Sequence, residues 1–397
     1  MPLIAIVAAV AVFTSACSSP SAPPDSDSGA AAPAASPSED FFEKIKRVSG
    51  GNCTPGRNAA SHLAGIGFFC LPFDAIPAVD DPSFVSVAGA DFLPDVEPVA
   101  ALEVDGRHRA YPLRILITHE IVNDTVAGRP VVVSFCPLCN SATAFDRRVG
   151  NRTLIFGVSG QLLSANLVMF DRQTISLWQQ VTGRSFAGDF KGRELDRLPV
   201  RMVSFGAWRE AHPDGKVMEE PADGFDYGRD AYAGYGRDVL SESKYFRAPP
   251  ESGSGTRTDP RLPPKWRVIG VQEGKRAVAF PMPESGRRAV AHALLDGTPL
   301  VTFFQKDGAE TSTAPRLEDG RRGWSGVVYQ AELDGRRLSF RTGGGSFVEI
   351  STGSRFDFFG RAISGPMKGE ELRPVDQVTA FWFSWADSYP RTKVATS

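Results

Sequence analysis

The same glycines, prolines and tryptophans occur twice along this chain, in the same order. A shift of 169 residues places Ala110-Tyr111-Pro112 on Ala279-Phe280-Pro281 and, without a gap, Gly128 on Gly297, Pro130 on Pro299, Val132 on Val301 and Phe135 on Phe304. A shift of 177 places Gly183-Arg184 on Gly360-Arg361, Gly188 on Gly365, Lys191-Gly192 on Lys368-Gly369, Trp208 on Trp385 and Lys216-Val217 on Lys393-Val394. Residues of these types set turns and fill cores. The pattern therefore predicts two copies of one unit, 99–218 and 267–394, joined by a connecting segment, 219–266. The copies differ where chemistry is concerned. His119 falls on Arg288, Glu120 on Ala289, Cys136 on Gln305, Cys139 on Gly308 and His212 on Tyr389. A group needed only to hold the unit together should have a substitute in the second copy, so any chemistry belongs to the first.

The local patterns are those of strands. Arg129–Phe135 (RPVVVSF) is a β-branched run bounded by Gly128 and Pro137, and Pro299–Phe304 has the same character. Leu154–Val158, Leu338–Arg341 and Ala101–Val104 read as further strands, with Asp105-Gly106, Asp296-Gly297 and Asp334-Gly335 as turns. Helical signals are short: Leu113–Val122 and Phe205–Ala211. With 39 Gly and 30 Pro in 397 residues, long helices are disfavoured. The expectation is an α+β, β-rich body of two related lobes. The balance of 44 basic against 46 acidic residues gives no electrostatic reason for a nucleic-acid partner, and no phosphate-cradling motif calls for a nucleotide cofactor.

The amino terminus places the body outside the cytoplasm. Leu3–Phe13 is an apolar run of secretory length, ending at Thr14-Ser15-Ala16-Cys17. Small residues before a lone Cys, followed by a Ser/Pro/Ala-rich stretch, resemble a bacterial lipoprotein signal. That resemblance implies removal of 1–16, acylation of Cys17 and a flexible tether over 17–40. Membrane contact would then be through this lipid alone, in the cell envelope; an ordinary secretory signal would leave the body secreted. In the segment 41–98, an oxidising compartment favours a Cys53–Cys70 disulfide.

Cys136 and Cys139 remain, in Phe135-Cys136-Pro137-Leu138-Cys139. The runs Ala110–Leu116, His119–Asp124, Phe135–Asn140, Phe156–Gly160, Asn166–Met169 and Ser176–Trp178, with Tyr227 and Tyr232–Tyr235, resemble the DUF3179 family over roughly 70–394. The resemblance implies an envelope protein and leaves activity open.

Three readings of the CPLC pair follow from its chemistry. Two thiolates and the imidazole of His119 suit copper or zinc rather than calcium or magnesium. In that reading Met169 could add a thioether and Glu120 would orient the imidazole. The second reading is a thiol–disulfide oxidoreductase using Cys136 and Cys139, for which a following helix would be expected and Asn140–Phe145 offers at most one or two turns. The third is a non-catalytic binding or scaffold module with a structural disulfide.

Overall fold

In a computed structural model of the chain, the described residues are 72–163, 165–241 and 259–395, together with the backbone of 66–68. Cys17, the 1–16 and 17–40 segments and the Cys53–Cys70 pair lie outside them. The described chain is β-rich, with three α-helices of seven residues each: α1 (Leu113–His119), α2 (Phe205–Ala211) and α3 (Trp382–Ser388). None is long and apolar enough to cross a membrane.

The sequence before α1 makes one hairpin, and the strands on either side of α2 close the sheet around it. Strand Pro98–Val104 pairs antiparallel with Arg107–Pro112 and with Val200–Ser204, and Lys216–Met218 joins Arg107–Pro112 in parallel. The second half runs through the same pairings: Arg267–Glu273 lies between Arg276–Pro281 and Val378–Phe381, and Lys393–Val394 adds in parallel. A three-strand meander follows in each half, Ile121–Val126, Arg129–Cys136 and Ser141–Asp146 in the first and Arg288–Leu295, Thr298–Ala309 and Arg322–Gln330 in the second. A four-strand meander comes next, from Phe156–Leu163 to Arg184–Ala187 and from Phe340–Gly343 to Ala362–Ser364. The glycines at 188 and 365 have a shared reason. Both have positive φ (88° and 90°), and a Cβ would fall 2.5 Å from Ser176 Cα in one case and 2.7 Å from Ser354 Cα in the other.

The halves interlock rather than standing as separate lobes. Along Pro98–Val104 the side chains alternate as a strand must. Ala100, Leu102 and Val104 face the first half's own Val131, Val133 and Phe135. Val99 and Ala101 face Phe303, Tyr329, Phe347 and Phe356 of the second half. On Arg267–Glu273, Ile269 and Val271 face their own half's Leu300 and Phe304. Val268 joins Trp382 and Trp385 in a core that also takes Val181 from the first half. Each of these sheets is thus buried on both faces, which is why its strands read as nearly continuous apolar runs.

Most predicted elements are present with shifted bounds. The helix predicted to Val122 stops at His119, because Glu120 takes φ 60° and the chain turns into a strand at Ile121. The stretch after CPLC is not helical. Ser141–Asp146 is a strand, and Pro137–Asn140 is the turn of a hairpin in which Cys136 pairs with Ser141.

Candidate functional site

The turn Pro137–Asn140 is held from outside its own hairpin. Tyr235 Oη donates to the carbonyl of Leu138 at 2.8 Å, and the Phe381 amide donates to the carbonyl of Cys139 at 2.8 Å. Thr311 Oγ1 donates to Asn140 Oδ1, also at 2.8 Å. The connecting segment and the second half therefore fix a loop that carries the first half's two thiols. Both thiols are unbonded and buried, Cys136 at 2% exposure and Cys139 at 0%.

Around Cys139 the polar groups form a closed set. Asn166 Oδ1 accepts the Val181 amide at 2.9 Å, which fixes the amide orientation and leaves Nδ2 as a donor. Asn166 Nδ2 donates to Cys139 Sγ at 3.0 Å and to Gln180 Oε1 at 2.8 Å. Ser141 Oγ lies 3.1 Å from the same sulfur and 2.8 Å from Gln180 Oε1. With Cys139 protonated, its S–H donates to Ser141 and the serine donates to Gln180. With Cys139 ionised, rotating one hydroxyl turns the serine proton to the sulfur. Neither form leaves Ser141, Asn166 or Gln180 unpaired at these contacts, which is what makes ionisation tolerable at this depth. Burial raises the Cys139 pKa, and hydrogen bonds from Cys136, Ser141 and Asn166 outweigh it, so the thiol ionises more easily than an ordinary one. Cys136 is pushed the other way, by burial first and then by the neighbouring Cys139 and Glu120. Its sulfur accepts the Leu167 amide at 3.4 Å and lies 3.7 Å from the Ala165 carbonyl.

Glu120 is the third member. Burial and then the negative charge of Cys139 push its carboxyl up to about 8, against a hydrogen bond from Tyr232. It is therefore a carboxylic acid at neutral pH. Glu120, Asn140 and Ala165 all take positive φ (60°, 49° and 61°) around the two sulfurs. Such conformations cost a non-glycine residue of order 1–3 kcal/mol and collect at functional sites.

The predicted metal ligands do not come together. His119 Nδ1 lies 2.8 Å from the carbonyl of Pro77, which only accepts, and Nε2 lies 2.6 Å from Tyr227 Oη. Tyr227 Oη is in turn 2.7 Å from Asp223, so both ring nitrogens are spent in a separate network. The turn at Glu120 separates the two residues: its carboxyl, predicted to orient the imidazole, instead feels the charge of Cys139 and a hydrogen bond from Tyr232. Met169 is fully buried, paired across its sheet with Val158 and Trp178. Among the described residues no three His, Cys, Asp or Glu side chains are placed to hold one ion. His212 stacks on His108, ring centroids 4.0 Å apart, and takes no part.

Sequence reasoning missed the residues that act on the sulfurs. Asn166 and Ser141 lie within runs already singled out, but nothing in their spacing points to Cys139. Tyr232 also lies in such a run, with nothing to tie it to Glu120, and Gln180 carries no local signal.

The family model that matches the chain is DUF3179, described as a protein of unknown function, over residues 73–392. The chain belongs to that family. The match spans both halves and every residue around the two thiols, so the site lies within the family's extent. No curated protein and no solved structure matches the chain.

Proposed function

We propose that Cys136 and Cys139 form a redox-active dithiol whose nucleophile is Cys139. The observation that carries this reading is the pair of side-chain contacts to Cys139 Sγ, Asn166 Nδ2 at 3.0 Å and Ser141 Oγ at 3.1 Å, beside a protonated Glu120. No helix N-terminus is needed, since side chains supply the stabilisation a helix dipole gives elsewhere. In exchange with a disulfide, the Cys139 thiolate attacks one sulfur, the S–S bond breaks, and Glu120 protonates the departing thiolate. Spending the charge on Cys139 removes one of the two influences that hold Glu120 protonated. The resulting carboxylate then takes the proton of Cys136, whose thiolate attacks Cys139 and releases the second half of the substrate as a thiolate. The protein ends as the disulfide and the substrate as two thiols, one of them ionised.

The same pairing order in the two halves, with glycines 188 and 365 serving the same close approach, supports a duplication in which only the first unit bears the dithiol. The amino-terminal pattern supports an envelope setting, where a thiol–disulfide couple has work to do.

Redox titration in glutathione buffers, followed by alkylation and mass measurement, tests this reading. It predicts reversible loss of two alkylation sites with a midpoint between about −120 and −270 mV, abolished in Cys139→Ser. A midpoint below about −300 mV would mark a structural bridge. Near-stoichiometric copper or zinc in protein purified without chelator would replace the redox reading with a metal-binding one.

A further inference from the structure

Where the halves interlock, each encloses a cavity against the other. One, of 320 Å³, is walled by Glu103, Arg201 and His212 of the first half and by Asp357, Arg361 and Glu371 of the second. The other, of 570 Å³, is walled by Gln272 and Tyr389 of the second half and by Gln179, Arg184 and Glu194 of the first. Register relates the two. Glu103 and Gln272 hold the same place in their hairpins, opposite His108 and Ala277. His212 and Tyr389 each cap the helix after the outer strand. Arg184 bridges to Glu194 as Arg361 does to Glu371. The position of Arg201, opposite Ala101, is taken in the second half by Val378, opposite Gly270.

Arg201 is what sets the smaller cavity apart. It is 7% exposed, it lines the cavity, and its Nε has no hydrogen-bond partner. Among the described residues no carboxylate is placed to form an ion pair with it. A buried guanidinium with no direct ion-pair partner is costly, and the fold does not need one here, since the twin position is a valine. Its unpaired edge can receive an anion from outside. The rest of the wall limits which anion. Glu103, Asp357 and Glu371 balance Arg201, Arg361 and the nearby Arg373, so a ligand must bring hydrogen-bond donors close to its negative group. Burial, then His108, Arg201 and Arg361, push His212 down to about 3, so its ring is neutral and adds no charge. The size lies at the small end of ligand pockets, roughly 300–1,000 Å³.

We propose that this cavity binds a small carboxylate carrying an adjacent hydroxyl or ammonium group, with the carboxylate on Arg201 and the donor facing Glu103 and the second-half acids. The twin cavity has Arg184, Lys275 and Arg391 in its wall, but all three are exposed and none takes the place of the buried Arg201, so it does not bind the ligand in this way.

Calorimetry and thermal melting of the full chain with lactate, L-serine, glycerol and inorganic phosphate test the proposal. Lactate or serine gives saturable heats and raises the melting temperature; glycerol gives neither. Arg201→Met weakens binding at least tenfold and, without ligand, melts no lower than the parent, because it removes an unpaired buried charge. Arg184→Met, in the twin cavity, leaves binding unchanged. Glu103→Gln, which installs the twin's residue, weakens serine more than lactate. Binding that survives Arg201→Met overturns the proposal, as does a parent protein that takes phosphate alone or none of the four. An Arg201→Met chain that melts lower, or fails to fold, overturns it too, by assigning the arginine a structural role.

Discussion

At matched positions in the two halves, the same backbone carries opposite chemistry. In the first half Cys136 pairs with Ser141 across a four-residue turn; in the second, Gln305 pairs with Ser325 across a much longer excursion. The second-half pair is settled by ordinary, partly exposed hydrogen bonds. Gln305 accepts from Arg288 Nη2 at 2.9 Å and donates to Asp307 Oδ2 at 2.9 Å, and Ser325 donates to Asp307 Oδ1 at 2.9 Å. The first-half pair sits in a fully buried set of Cys139, Ser141, Asn166 and Gln180, with Glu120 beside it. Since one half folds without a buried acid or a thiol at this place, the hairpin does not need them. The difference teaches that the first half maintains a costly polar interior that stability alone does not explain.

That contrast can be broken most severely at Glu120, whose second-half counterpart is Ala289. The sign follows from its folded value of about 8 against an ordinary 4.5. The folded protein holds the proton more tightly, so this contribution to stability is full below about 4.5 and is lost as pH rises through about 8. Glu120→Gln should therefore flatten the difference between melts at pH 5 and pH 9, by a few kcal/mol given roughly 1.4 kcal/mol per pKa unit. Denaturant titrations of both proteins at the two pH values check it, and parallel curves would mean that Glu120 is not held as the acid.

A smaller effect sharpens the comparison at the crossing of the halves. Ala101 of the first half corresponds to Gly270 of the second, where a Cβ would fall 2.3 Å from the Trp385 ring. Gly270→Ala should cost about 2 kcal/mol by overpacking, whereas Ala101→Gly should cost about 1 kcal/mol or less. Equal losses in chemical denaturation would show that the two sheets are not packed as described.

Much of the framework was legible in the sequence because strands announce themselves by composition. Arg129–Phe135 needed only its β-branched run and bounding Gly and Pro, and Phe205–Ala211 was recognised at its observed bounds. The α3 helix was not, because Phe381-Trp382-Phe383-Ser384-Trp385 is apolar all round, and such a run does not distinguish a buried helix from a buried strand. The interlocking was hidden for a related reason: alternation along Pro98–Val104 says that both faces are covered, not which half covers them. The site was half legible. C-x-x-C marked the sulfurs, but His119 looked like their neighbour only while the helix was taken to run on to Val122. Its end at a positive-φ Glu120 exchanges the roles of the two residues, and a glutamate gives no warning of such a backbone. Asn166 reaches Cys139, Gln180 reaches Asn166 and Ser141, and Tyr232 reaches Glu120, through sheet pairing and a connecting segment that local sequence does not encode.

The measurement that bears most directly on the account is the thiolate absorbance of Cys139 as a function of pH, taken in Cys136→Ser with and without Asn166→Leu. The account predicts ionisation below the ordinary thiol value of 9.0, moved upward by about one unit when the Asn166 amide is removed. A Cys139 that ionises above that value, or that ignores the loss of Asn166, would contradict it.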